Sequence, residues 1–216
     1  MINLKNVNYK NILKNINLKI EKGEYISLIG SNGSGKTTLA NLLSGLLEEQ
    51  IEGMKIDKKI ALVFENPDNQ LIGTTVEDDI SFGLRNMQLS REVMQRKITQ
   101  ILDELDIFEL KKREISSLSG GQKQKVAFAS LLVLDFEVYI LDEVTTMLDP
   151  ESKELVLELI SKLNKEGKTI IQITHFLEEV KLSKRTIVMK NAQIVYDGDT
   201  EKLLENENLL IENRLI

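Results

Sequence analysis

Cysteine is absent from the 216 residues, which excludes disulfides, thiolate metal sites and a cysteine nucleophile. Aromatic residues make up only 5%, so the core has to be built mainly from Leu, Ile and Val. No apolar run approaches the length needed to span a bilayer. The opening Met1-Ile2-Asn3-Leu4-Lys5 lacks a charged region followed by a long apolar stretch, so no signal peptide is visible. No dense Lys/Arg run reads as a patch for anionic lipid. The net charge of −6 repels phosphate backbones at long range, which makes nucleic acid a poor candidate partner. The expected location is the cytoplasm, unless a partner holds the chain at a membrane.

Against these absences stand 42% hydrophobic and 29% charged residues, a soluble globular balance. The length fits one domain, 1–216, with room for an inserted lobe. Residues 2–9 and 14–20 alternate apolar and polar, which predicts two half-buried strands joined as a hairpin. The short apolar run at 25–29 predicts a buried strand, 60–64 is another buried-strand candidate, and 137–141, 169–173 and 185–189 are three further strand candidates. Helical spacing follows over 38–47, over about 76–124, where Ile98, Ile101, Leu102 and Leu105 mark an inserted helical lobe, and after Asp149-Pro150, a capped helix start. Strands alternating with helices predict an α/β fold with a mainly parallel sheet, preceded by antiparallel N-terminal strands.

Gly30-Ser31-Asn32-Gly33-Ser34-Gly35-Lys36-Thr37 fits the P-loop pattern, between a predicted strand and a predicted helix. Its glycines let the backbone curl until successive N–H groups face phosphate oxygens, and the helix N-terminus adds partial positive charge. Lys36 is expected to reach the β- and γ-phosphates of ATP, Thr37 to hold Mg²⁺, and Thr38 to belong to the same nucleotide site. The plainer alternative is a glycine-rich turn with no ligand.

Val138-Tyr139-Ile140-Leu141-Asp142-Glu143 is an apolar run ending in two acids, at the strand end where open α/β sheets bind ligands. Asp142 is expected to help hold Mg²⁺ and Glu143 to orient or deprotonate the attacking water. On its own the pair could merely cap a strand. Leu118-Ser119-Gly120-Gly121-Gln122 contains a capping box, Ser119 with Gln122, so it can simply begin a helix. The same exposed N–H groups and missing side chains also let a γ-phosphate approach.

With these motifs in this order the chain resembles the ABC ATPase family over essentially its whole length. That resemblance implies a head-to-tail dimer, in which Ser119, Gly120, Gly121 and Gln122 of one subunit cover the ATP on the P-loop of the other. It implies that His175, the only histidine, touches the γ-phosphate, that Asp149 lies in a loop crossing the dimer interface, and that Tyr9 stacks on adenine. Asn66-Pro67-Asp68-Asn69-Gln70, Thr74 to Asp79 and Gln122-Lys123-Gln124 are similar to the energy-coupling factor branch, whose ATPases drive uptake of cobalt, nickel or vitamins through a membrane subunit. A homodimer and a heterodimer with a related ATPase are both compatible, at the cytoplasmic face of the membrane. A soluble ABC ATPase acting on nucleic acid or ribosomes is the rival, and such proteins usually carry a long coiled-coil insertion, a second ATPase domain or zinc cysteines. A binding-only module with a weakened site is a second rival.

Glu65 departs from the branch, which places a magnesium-facing glutamine there. A carboxylate is a stronger Mg²⁺ ligand, so Glu65 is expected to alter metal affinity or slow hydrolysis. Lys125 stands where arginine is usual and Thr146 where serine is usual. The chain stops soon after the core, without the C-terminal helical segment of many branch members, and its Leu- and Ile-rich tail from Leu203 has two readings: packed on the core, or touching a partner.

Overall fold

The computed structural model describes residues 2–47 and 51–212. In chain order the strands and helices are β1 Ile2–Tyr9, β2 Leu13–Ile20, β3 Tyr25–Ile29, α1 Lys36–Ser44, β4 Met54–Ile56, β5 Ile60–Val63, α2 Val76–Arg85, α3 Arg91–Glu104, α4 Gly120–Leu132, β6 Val138–Asp142, α5 Pro150–Lys165, β7 Thr169–Ile173, α6 Leu177–Val180, β8 Arg185–Lys190, β9 Gln193–Asp199, α7 Thr200–Glu205 and α8 Glu207–Glu212. The chain divides into two compact units.

The first unit comprises Met1–Leu62, Glu137–Glu143 and Ser161–Ile216. Its N-terminal hairpin follows the period-two pattern: β1 and β2 run antiparallel with Ile2 opposite Ile20 and Leu4 opposite Leu18, and these four side chains are buried. Two irregularities interrupt the register. Asn6 and Asn15 take positive φ near them (52° and 50°), a conformation that Asn tolerates better than most residues. β4, too short and too exposed to show a pattern, extends this sheet on the far side of β1.

The main sheet has the order β5-β6-β7-β3-β8-β9. In the centre β3 runs parallel to β7 and β8, and β6 parallel to β7, while β9 returns antiparallel along β8. β3, β6 and β7 are buried at every residue, as central parallel strands covered on both faces should be. β9 alternates exposed and half-buried positions, and its Asp197-Gly198-Asp199 hides it from a search for apolar runs. The tail packs on the core: Leu203 and Leu210 join Ile29, Val180 and Val188 in one buried cluster.

The second unit comprises Val63–Phe136 and Val144–Ile160. It holds α2, α3, α4 and the first part of α5. Side-chain caps set the helix starts: Thr75 accepts from the N–H of Asp78, Ser90 from that of Val93, and Ser119 closes a full capping box with Gln122. Ile98, Ile101 and Leu102 form the buried stripe of α3, and α2 packs against both α3 and α4.

Candidate active site

Three strand ends of the first unit meet at one edge of the main sheet. Leu28 of β3 lies opposite Ile173 of β7, and Ile173 opposite Asp142 of β6. The loop after β3, the acids after β6 and the histidine after β7 therefore emerge side by side, at the carboxyl ends of parallel strands where such sheets bind ligands.

The loop after β3 is shaped by exclusion. A Cβ on Gly30 would lie 2.1 Å from the carbonyl oxygen of Met189, so no side chain fits there. Gly35 takes φ 106° as the N-cap of α1 and leaves the first N–H groups of that helix without a side-chain cap. Lys36 is 7% exposed, and its ammonium donates to the carbonyls of Gly30 at 2.8 Å and Ser31 at 3.3 Å. The hydroxyl of Ser34 is buried and, among the described residues, has no hydrogen-bond partner. Thr37 is exposed and Thr38 half-buried on the first turn of α1. Orphan donors, a buried cation and glycines in place of side chains suit a polyphosphate. Among the described residues no group of three or more acids or imidazoles forms a metal cage. Mg²⁺ needs no such cage, since one or two protein oxygens plus phosphates and waters suffice, and Thr37 and Asp142 are of that kind.

Asp142 ends β6, 3% exposed. Glu143 follows with φ 51°, an unusual conformation for glutamate that turns the chain sharply at the strand end. Its N–H donates to the carbonyl of Ile173 at 3.0 Å, which locks the turn to β7. Across the same gap Nδ1 of His175 lies 3.1 Å from Oε2 of Glu143, with the imidazole half exposed. Tyr9 closes β1, 7% exposed, and the ammonium of Lys10 sits 4.9 Å from the centre of its ring. That cation covers a face which adenine stacking would use.

In the second unit Ser119 and Gly120 are exposed at the tip of α4, and Gly121 is half-buried. The tip is pinned by Ser119 N–H donating to Oε1 of Gln122 at 3.0 Å, and by the return bond at 3.3 Å. A Cβ on Gly121 would meet the carbonyl of Met147 at 3.0 Å. Asp149 accepts from the N–H of Ser152 at 3.0 Å, and that bond holds its carboxyl below the ordinary range. Glu65 is exposed.

Sequence reasoning treated the Glu65–Gln70 loop and α4 as separate motifs, yet several side chains join them. Gln70 donates to the carbonyl of Ala127 at 2.6 Å and accepts from the N–H of Phe64 at 3.3 Å. Gln124 donates to the carbonyl of Phe64 at 3.1 Å, and Lys123 pairs with Asp68 at 2.7 Å. Asp79, 5% exposed, accepts from the N–H groups of Ile72 (2.8 Å) and Gly73 (2.9 Å) and from the hydroxyl of Ser130 (2.6 Å). The one available hint was a run of amides and opposite charges inside both motifs. Their pairing spans more than fifty residues of chain, beyond any local pattern.

Comparison with known proteins agrees with this geometry. Residues 13–146 match the family model described as ABC transporter. The chain is 41% identical to the energy-coupling factor transporter ATP-binding protein EcfA1 of Mycoplasmopsis synoviae, over 97% of this chain and 87% of that one. It is 42% identical to the protein of the same name from Streptococcus mutans, over 98% and 83%. Among solved structures it resembles CbiO1 from Clostridium perfringens, part of the ABC transporter complex CbiONQ, with TM-score 0.82, 31% identity and coverage of 99% and 94%. An ATP-binding cassette solved as a dimer with ADP and phosphate, in a post-hydrolysis state, gives TM-score 0.84 at 27% identity, over 93% and 99%. With a phosphate cradle, paired acids and a histidine on three adjacent strand ends, the chain belongs to the ABC transporter family and, within it, to the ATP-binding proteins of energy-coupling factor transporters.

Proposed function

We propose that two subunits of this fold close over ATP, hydrolyse it and so drive a membrane-embedded partner that takes up a metal ion such as cobalt or nickel, or a vitamin. The observation that carries the catalytic part is the juxtaposition of the Lys36 loop, Asp142-Glu143 and His175 at the ends of β3, β6 and β7. Lys36 exchanges its loop carbonyls for the β- and γ-phosphates. Glu143, held by its bond to Ile173, faces the attacking water and takes its proton. His175, next to that carboxylate, touches the γ-phosphate. Thr37 and Asp142 would hold Mg²⁺, which neutralises charge on the phosphates, and Glu65 is a further candidate oxygen. Tyr9 is the adenine contact once Lys10 swings off its ring.

The exposed tip of α4 supports the pairing. Ser119, Gly120, Gly121 and Gln122 present a pinned helix N-terminus to the outside of their own chain, where a second copy or a related chain can offer its nucleotide. Asp149 would lie at that contact. The partner sets the location, the cytoplasmic face of the membrane, since among the described residues no helix is long and apolar enough to cross one.

Glu143→Gln tests the chemistry. ATP turnover should fall by a factor on the order of 10² to 10⁴, while ATP binding persists and the closed pair accumulates on a sizing column. Parental turnover by this variant would remove Glu143 from its role.

A further inference from the structure

His175 stands on a bend, Thr174 to Phe176, between β7 and the four-residue α6. Its half-exposed ring touches Phe176, with centroids 4.1 Å apart, and reaches Glu143. A solvent-facing imidazole on a bend needs an anchor below it, and the core beneath this bend contains one.

Gln172 of β7 and Glu179 of α6 are each 1% exposed, and Nε2 of Gln172 donates to Oε2 of Glu179 at 2.8 Å. On its other side Oε1 of Gln172 accepts from the hydroxyl of Tyr25 on β3. The orientation follows from the donor inventory. A carboxylate only accepts, so the amide NH₂ must face Glu179, the amide oxygen must face Tyr25, and Tyr25 must donate. Burial, and then the nearby Glu179 carboxylate, push the Tyr25 phenol well above its ordinary range, so it remains a donor.

Gln172 precedes His175 and Glu179 follows it, so their bond closes a ring of chain around the bend. Two local bonds stiffen that ring: the Phe176 N–H donates to Oγ1 of Thr174 at 3.1 Å, and the Glu179 N–H to the carbonyl of Phe176 at 3.0 Å. Parting the pair would take the buried Gln172 amide N–H away from its acceptor at a cost in free energy, so the bond holds the bend.

We infer that Gln172 and Glu179 are positioning residues for His175, and that their buried bond, backed by Tyr25, aims the imidazole at Glu143 and the γ-phosphate. This rests on the reading of His175 given above.

The test uses the full chain with Glu179→Leu, which removes the acceptor, and Glu179→Gln, which keeps one. The protein has a single histidine, so its imidazole NMR resonances report the bend directly. With Glu179→Leu the resonances should move, and kcat should fall about tenfold to a hundredfold while KM for ATP changes little. Glu179→Gln should restore most of both. In a His175→Ala background Glu179→Leu should add no further loss. Should Glu179→Leu fail to fold, Tyr25→Phe cuts the outer end of the chain and should move the same resonances. Unmoved resonances in a folded variant, or an equal loss with and without His175, overturn the inference. Moved resonances with unchanged turnover would uphold the positioning and refute the phosphate role of His175.

Discussion

Glu65 shows what one atom's difference can decide. It is exposed, and the resemblance to the energy-coupling factor branch implies a magnesium-facing glutamine at this position. A charged oxygen binds a hard cation more tightly than an amide. Glu65→Gln should therefore raise the Mg²⁺ concentration needed for half-maximal turnover several-fold and change the ratio of Mg²⁺- to Mn²⁺-supported rates. Superimposable metal curves would show that Glu65 plays no part. Several residue roles were legible before any fold was known. Ser119 with Gln122, and Asp149 before Pro150, declare helix starts by spacing alone, and both caps are present. The left-handed turn at Glu143 was not legible, because nothing in Leu-Asp-Glu-Val encodes positive φ. It is imposed by β7 through Ile173.

At the scale of elements, Asp79 is the clearest case of a side chain doing structural work between segments. Three donors converge on one buried carboxylate, and Gly73 is pressed so close that a Cβ there would lie 2.4 Å from the Asp79 nitrogen. Charge-assisted bonds of this kind are stronger than neutral ones. Asp79→Asn removes the charge behind these bonds and turns one of the two acceptor oxygens into an NH₂ facing the Ser130 hydroxyl, and should cost about 1–3 kcal/mol, read as a lower urea midpoint. A midpoint within error of the parent would mean that the clasp contributes nothing net. The short buried strands β3, β6 and β7 were legible because apolar residues dominate each of them. β4 and β9 were not: three residues make no pattern, and β9 keeps one face wet with Gln193, Asp197 and Asp199. The ties between the Glu65–Gln70 loop and α4 were equally hidden, since each motif reads well alone and only folding brings Gln70 to Ala127.

For the whole molecule, net charge sets a condition on the proposed pairing. Two chains of charge −6 repel at long range before the tip of one α4 can reach the other's nucleotide. Turnover per subunit at saturating ATP should rise with subunit concentration, more steeply at low ionic strength, where the Debye length is about 30 Å, than at 0.15 M, where it is about 8 Å. Rates strictly proportional to subunit concentration at every salt level would show that a lone chain suffices.

The close approach of Gly30 to Met189 bears on how the protein comes into being. The glycine-rich loop follows β3, but the backbone against which it is moulded comes from β8, far later in the chain. During synthesis on the ribosome the glycine-rich stretch thus emerges long before its backing exists. The shape proposed to cradle ATP is therefore acquired only once β8 has been made and has packed against the loop.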